Sequence, residues 1–141
     1  MTFPRTLFTV ILILAAVLPA SAQESVHPVL DAWYAALFAA DRERLAPLLS
    51  DDAVITLEDI GITQTREEFL DSLEEWGDSI DGAELSFRLD ASEPADETRA
   101  TAFVCYRFPG STVMTHERFT FAGGKVTASA QMPAGNSCEG F

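Results

Sequence analysis

Few side chains in this sequence stand out as candidates for acid–base chemistry, nucleophilic attack or metal binding. They are the only two cysteines, Cys105 and Cys138, the only two histidines, His27 and His116, and a glutamate, Glu117, within an apolar run of β-forming residues. A carboxyl group among apolar neighbours loses solvation, which raises its pKa. Such a group can donate a hydrogen bond to a ligand or act as an acid.

Two glycine-containing loops predict how the strands around Glu117 pair. Gly110–Ser111 and Gly123–Gly124 are both suited to two-residue hairpin loops. With these loops, Glu117 faces Val104 on one side and Ala130 on the other. The first loop also places Cys105 opposite His116.

Because side chains alternate along a strand, this register assigns each residue to one of two faces. The residues on the predicted core face are mostly apolar: Ala102, Val104, Tyr106, Phe108, Val113, Thr115, Glu117, Phe119, Phe121, Val126, Ala128, Ala130 and Met132. The predicted outer face carries the remaining residues: Phe103, Cys105, Arg107, Met114, His116, Arg118, Thr120, Thr127, Ser129 and Gln131. Glu117 is the one carboxylate on the predicted core face.

A ligand pocket around Glu117 is one interpretation of this face. Tyr34 and Tyr106 would then be further polar anchors, and Trp33 would line the pocket. Ala128 and Ala130 are small and would leave space for the ligand. The alternative is a structural acid hydrogen-bonded to Tyr106, Thr115 or Tyr34.

Residues 1–22 have the pattern of an export signal, and an exported chain meets oxidising conditions, which favour a disulfide between the only two cysteines, Cys105 and Cys138. Residues 133–138 are long enough to reach back across two strands. The alternative, a Cys105 nucleophile activated by His116, would lie on the outer face, away from the pocket. We expect no metal site, because His27 and His116 cannot easily converge. No cofactor is expected either, since the sequence has no phosphate loop, Rossmann glycine pattern or nucleophile elbow.

Residues 1–22 have the pattern of a cleavable export signal. Arg5 precedes an apolar run from Leu7 to Leu18, and Ala20-Ser21-Ala22 provides the small residues of a cleavage site. The run is shorter than the roughly 20 residues that a membrane span needs. We therefore predict a periplasmic or secreted protein with no membrane attachment after cleavage. The formal net charge of −13 argues against nucleic acid and anionic membranes as partners.

The elements that must position these side chains are helices first and strands afterwards. Apolar spacing predicts a helix over 26–38, a short helix over 42–49 and a third helix that begins at a Thr65–Glu68 capping box. A strand over 53–57 with a partner over 60–64 separates the last two helices. Four further runs of β-forming residues follow, over 85–89, 100–108, 112–122 and 125–132. The order predicts one α+β domain over 23–132, with the helices on one face of a mostly antiparallel sheet, and a C-terminal tail over 133–141.

This order, with the stretches "DAWYAALFAADRERLAPLLSDDAVITL", "TREEFLDSLEEW" and "HERFTFAGGKVTA", resembles the nuclear-transport-factor-two-like superfamily, which includes SnoaL-like and ketosteroid-isomerase-like proteins. The resemblance implies a cone-shaped barrel with a curved sheet around a pocket, often in a homodimer. Of the ketosteroid isomerase residues, the general base falls at Leu57 and the oxyanion-binding tyrosine at Trp33. Only the protonated acid has a counterpart, at Glu117.

Three functions remain open at this point. The first is an exported protein that binds a small, largely apolar molecule through Trp33, Tyr34, Tyr106 and Glu117. The second is an isomerase or hydrolase that uses Glu117 as its acid or base. The third is an interaction module whose sheet face binds a partner and whose pocket is filled by Trp33 and Phe38. The outer face, with His116, Arg118, Ser129 and Gln131, is expected to meet solvent or a second copy of the chain.

Overall fold

A computed structural model describes residues 27–141, so the predicted signal peptide lies outside the described residues. The helices are α1 (Pro28–Phe38), α2 (Arg42–Leu45), α3 (Arg66–Asp71) and α4 (Leu73–Ser79), with a 3-10 turn over Ala46–Leu48. The strands are β1 (Leu49–Leu57), β2 (Ile62–Thr65), β3 (Glu84–Leu89), β4 (Arg99–Phe108), β5 (Ser111–Ala122) and β6 (Lys125–Gly135). The order of elements matches the prediction, and the α+β class is confirmed.

The six strands form one sheet in the order β2-β1-β6-β5-β4-β3. Only β1 and β6 run parallel, and the other neighbours are antiparallel. This β1–β6 contact joins the two halves of the chain. No helix among residues 27–141 is long and apolar enough to cross a membrane.

Local signals in the sequence set where the helices begin. The side chain of Asp41 accepts a hydrogen bond from the backbone of Arg44, and α2 begins next to it. Thr65 and Glu68 form the predicted capping box at the start of α3. Pro47 falls in the 3-10 turn, because a proline provides no N–H for a continuing α-helix. The short helix therefore ends earlier than predicted.

The predicted β1–β2 and β4–β5 turns need correction. The β1–β2 loop covers residues 58–61, so β2 begins at Ile62 rather than Ile60. The β4–β5 loop is Pro109–Gly110, and the pairing is shifted by two residues. Glu117 therefore faces Ala102 instead of Val104. A shift of two keeps every side chain on its predicted face.

The β5–β6 pairing deviates from the prediction by one residue. It begins as predicted, with Phe121 opposite Val126, but Thr127 is then an extra, unpaired residue and Thr120 lies opposite Ala128. From this bulge onward β6 is turned over. Ala128, Ala130 and Met132 therefore lie on the outer face, and the prediction that they belong to the core face is wrong. Ser129 and Gln131, predicted on the outer face, lie on the core face opposite Phe119 and Glu117.

The hydrophobic core lies between the helices and the core face of the sheet. Trp33 of α1 stacks on Phe69 of α3 and meets the edge of Phe119 of β5, with ring centres 5.5 Å apart in both pairs. Such aromatic contacts add to the free energy gained by burying the rings. They fix α1 and α3 against the sheet, and so fix the position of Tyr34 on α1.

The C-terminal tail crosses the outer face of β4. The predicted disulfide between Cys105 and Cys138 is confirmed, with their Cα atoms 5.7 Å apart. Beyond it, the guanidinium of Arg88 lies 5.1 Å from the ring centre of Phe103 and 5.2 Å from that of Phe141. Cys105 is thus fully buried although it points away from the core. With Cys105 in a disulfide and facing Met114, the Cys105–His116 dyad is wrong.

Candidate functional site

Glu117 is held at the centre of a buried hydrogen-bond network. The hydroxyl of Tyr34, on α1, donates to its Oε2 atom at 2.8 Å. The hydroxyls of Tyr106 and Thr115 donate to its Oε1 atom at 3.0 Å and 2.8 Å. All three partners that the structural alternative had named are therefore engaged at once. Glu117 as a whole residue is 3% exposed, so these hydroxyls take the place of water around its carboxyl group.

Burial dominates the acid–base character of this network. Desolvation raises the pKa of Glu117, although the hydrogen bonds from Tyr34, Thr115 and Tyr106 oppose that shift. The pKa values of Tyr34 and Tyr106 lie well above their usual value, because of burial first and the neighbouring carboxyl group second. Both tyrosines are consequently held as neutral hydroxyls.

A cavity of about 270 Å³ lies beside this network, between α3–α4 and the core face of the sheet. Its lining is mostly apolar: Leu37, Leu57, Gln64, Phe69, Ser72, Leu73, Glu75, Trp76, Ser79, Tyr106 and Gln131. Small-molecule sites usually measure about 300–1,000 Å³ and combine apolar walls with a few polar groups. This cavity therefore suits a ligand at the small end of that range.

Tyr106 is the link between the cavity and Glu117. It lines the cavity and donates its hydroxyl hydrogen to Glu117. Gln131 also lines the cavity and lies directly opposite Glu117 in the sheet. Glu117 itself is absent from the lining. Of the described lining residues, Tyr106 is the one whose hydroxyl is hydrogen-bonded to the buried carboxyl of Glu117.

The other predicted ligand-binding residues lie outside the lining. Trp33 and Tyr34 are each 2% exposed and fill the core. Ala128 and Ala130 lie on the outer face, because the bulge at Thr127 turns β6 over. Of the six residues predicted to bind a ligand, only Tyr106 lines the cavity.

Sequence reasoning missed the helical wall of the cavity. Phe69, Leu73 and Trp76 share one face of the α3–α4 segment and form this wall. The indole N–H of Trp76 donates to the backbone oxygen of Leu37 at 2.8 Å, which ties α4 to the end of α1. The repeating apolar spacing revealed which side faces inward. It contained no information on how far the helix stands off the sheet.

The ketosteroid isomerase positions take different roles here. Leu57, where the resemblance places the general base, lines the cavity but has no proton to exchange. Trp33, at the position of the oxyanion-binding tyrosine, is buried in the core. Glu117 is surrounded by hydroxyl groups of the chain itself.

Asp90, Glu93 and His116 form the one group of potential metal ligands among residues 27–141, with one ligand atom of each within 4.8 Å of the others. Their polar atoms already have partners in the chain. The Nε2 of His116 is 2.9 Å from Asp90 Oδ2, and Thr101 donates to Glu93 at 2.6 Å. The direct contact between His116 and Asp90 explains why these two side chains lie together.

Comparison with solved structures identifies the fold. A proposed ketosteroid isomerase from Kribbella flavida DSM 17836 aligns with a TM-score of 0.65 at 18% identity, over 78% of each chain. A nuclear-transport-factor-2-like protein of unknown function from Burkholderia xenovorans LB400 aligns with a TM-score of 0.61 at 20% identity, over 80% of this chain and 86% of the other. IdmH, a proposed polyketide cyclase from Streptomyces antibioticus, aligns with a TM-score of 0.59 at 14% identity, over 75% of this chain and 89% of the other.

No family model and no curated protein matches the sequence. The similarity to these proteins therefore rests on the three-dimensional structure, and at such low sequence identities it shows the fold alone. The helix order, the six-stranded mixed sheet and the cavity beneath α3–α4 agree with the resemblance drawn from the sequence. The chain has the cone fold of the nuclear-transport-factor-2-like superfamily.

Proposed function

We propose that the protein binds a small, largely apolar molecule in the cavity between α3–α4 and the sheet. The observation that carries this proposal is the cavity of about 270 Å³, whose apolar walls surround the polar groups of Tyr106 and Gln131. An apolar wall gains free energy by excluding water, and the polar groups orient the ligand.

The polar anchors in this proposal differ from those expected from the sequence. The core immediately around Glu117 is filled, as the interaction-module alternative requires, yet a cavity lies on the other side of Tyr106. Tyr106 and Gln131 would contact the ligand directly. Glu117 and Tyr34 would act behind them by holding the hydroxyl of Tyr106 in place.

Binding has more support than catalysis. An enzyme needs a second group near the reacting atom, and Glu117 does not line the cavity. The one carboxylate in the described lining is that of Glu75, which is solvent-exposed. An exposed carboxylate lacks the environment that tunes a catalytic acid or base.

We further propose that the protein acts after export, in the periplasm or outside the cell. The Cys105–Cys138 disulfide supports this compartment, because disulfides persist under oxidising conditions. Mass spectrometry of the mature N-terminus tests the proposal: a chain that begins after Ala22 supports it, and an intact Met1 contradicts it. The outer face of the sheet is still expected to meet either solvent or a second copy of the chain.

The binding proposal is tested by native mass spectrometry of protein purified from its own compartment. We expect the wild-type chain to retain a small molecule. Leu57→Trp would fill the cavity and abolish this extra mass. The matched control is Val54→Trp, which lies on the same strand but points to the outer face and is 43% exposed. Equal retention by both variants, or a ligand-free wild-type chain that also binds no added apolar compound, would contradict the proposal.

A further inference from the structure

We infer that the ligand of this cavity is a protonated amine with an apolar body, of the alkylamine or arylalkylamine class. The inference rests on the proposed binding function and adds the chemical class of the ligand. It comes from the hydrogen-bonding and charge inventory of the lining, in which most donors already have partners in the chain while acceptors remain free.

The donors of the cavity wall are occupied. Tyr106 donates to Glu117 at 3.0 Å, and the indole N–H of Trp76 donates to the backbone oxygen of Leu37 at 2.8 Å. The hydroxyl of Ser72 donates to the oxygen of Phe69 at 2.6 Å, and that of Ser79 donates to the oxygen of Glu75 at 3.0 Å. A hydroxyl or an indole N–H has a single hydrogen to donate. None of these four groups has a hydrogen left for a ligand.

What these groups still offer is lone pairs. The hydroxyl oxygens of Tyr106, Ser72 and Ser79 can each accept a hydrogen bond. The carboxylate of Glu75 can only accept. The amides of Gln64 and Gln131 both donate and accept, so they favour neither kind of ligand. The lining therefore complements a ligand that brings its own hydrogens.

The charge of the wall points to the same class. Among residues 27–141, the lining includes the carboxylate of Glu75 and no lysine, arginine or histidine. Helices α3 and α4, which form the wall, contain six carboxylates. Those of Glu67 and Asp71 pair with Arg42, and Glu67 also pairs with Arg66. The other four, Glu75 among them, have no cationic partner among residues 27–141. A cleft lined by one sign of charge with low-dielectric walls concentrates ions of the opposite sign. An anionic ligand would meet repulsion and no compensating cation.

The aromatic groups of the lining favour a cation as well. The rings of Trp76 and Tyr106 lie edge to face, with centres 5.8 Å apart, and Phe69 is a third aromatic ring in the lining. The face of an aromatic ring attracts an ammonium group. One face of Phe69 is covered by the ring of Trp33. A protonated amine that reaches an uncovered face of these rings would gain this attraction together with the free lone pairs, while its hydrocarbon part occupies the apolar walls.

The test is a binding series of matched compounds in which one skeleton carries an amine, an alcohol or a carboxylate. Benzyl, phenylethyl and octyl skeletons cover the range of sizes, and affinity is measured by calorimetry with the full mature chain. We expect each binding amine to bind at least about tenfold more tightly than its carboxylate, since cation–π and charge-assisted contacts act together. The preference should weaken at high salt.

Two variants locate the effect. Glu75→Gln should reduce the preference for the amine about threefold, as expected for a charge pair with a solvent-exposed carboxylate. Its matched control is Glu74→Gln, which removes the same charge from the neighbouring exposed position outside the lining and should leave the preference unchanged.

The outcomes separate this inference from the proposal beneath it. Alcohols or carboxylates that bind as tightly as the amines overturn the amine inference and leave the binding function intact. An equal effect of Glu74→Gln and Glu75→Gln also overturns the inference, because it would reflect net charge and not the cavity. If no compound binds but the wild-type chain retains a molecule in native mass spectrometry, only the amine inference is overturned. If no compound binds and the wild-type chain is also ligand-free, both are overturned.

Discussion

The hydroxyl of Tyr34 lies 2.8 Å from the Oε2 atom of Glu117, a residue 83 positions later in the chain. This hydrogen bond joins the first described helix to the middle of the sheet. It also completes the set of partners around a carboxyl that has almost no contact with water. The same carboxyl holds Tyr106, which lines the cavity.

Tyr34→Phe should destabilise the protein by about 1–3 kcal/mol, because it leaves a buried carboxyl oxygen without a donor. Chemical denaturation measures this change in the free energy of unfolding. In the Glu117→Gln background the same substitution should cost less, since the charge that needs the donor is gone. An equal cost in both backgrounds would show that the hydrogen bond contributes little.

Glu117 should make the stability of the protein fall as the pH rises. Its pKa in the folded chain is raised by burial, so the folded state binds its proton more tightly than the unfolded state does. The stabilisation is complete below about pH 4.3, the ordinary pKa of a glutamate. It is lost progressively as the pH increases through the raised value.

Unfolding curves of the wild type and Glu117→Gln at several pH values measure this effect as a difference. The subtraction cancels the contributions of other carboxyl groups to the pH dependence. One of these is Asp90, whose pKa is lowered by its hydrogen bonds to Ser92. We expect the wild type to lose stability relative to the variant as the pH rises. A constant difference across the range would contradict a raised pKa at Glu117.

Removal of the disulfide with Cys138→Ala should destabilise the protein by about 3–4 kcal/mol on the loop-entropy model, given a sequence separation of 33 residues. Denaturation with and without reductant checks the value. The reductant should lower the stability of the wild type by a similar amount and leave Cys138→Ala unchanged. Any further loss in the variant under reductant would indicate a different cause.

Thr65→Ala should destabilise the protein by about 1 kcal/mol, because it removes the capping box of α3. The matched control is Thr63→Ala, an exposed threonine on the same strand with no capping role. Since α3 begins the wall of the cavity, ligand affinity should also fall for Thr65→Ala. Thermal unfolding and calorimetry measure the two effects, and equal behaviour of the variants would contradict the role of the cap.

The bulge in β6 is tested by the pair Gln131→Leu and Ala130→Leu. Gln131 lines the cavity, whereas Ala130 lies opposite Arg118 on the outer face. Gln131→Leu should change ligand affinity by several-fold, on the order of one hydrogen bond. Ala130→Leu should leave it unchanged. The reverse pattern would restore the register expected from the loops alone.

The sequence by itself determined the order of elements, the helix caps and the placement of Glu117 on the core face. The caps are local contacts, as at Thr65 and Glu68, which lie three residues apart. Glu117 kept its face although the β4–β5 pairing is shifted by two residues, because an even shift leaves the alternation unchanged. The disulfide partners followed from there being only two cysteines.

Tertiary structure alone decided which side of β6 lines the cavity. Residues 127–131 are Thr, Ala, Ser, Ala and Gln. Neither alternating set of side chains is apolar enough to show which one faces the core. The choice came from the bulge at Thr127, which appears where β6 also pairs with β1, a strand some seventy residues earlier in the chain. It placed Gln131 beneath the cavity and turned Ala130 away. Long-range pairing of this kind leaves no signal in a local stretch of sequence, and it decided which side chains of β6 line the cavity.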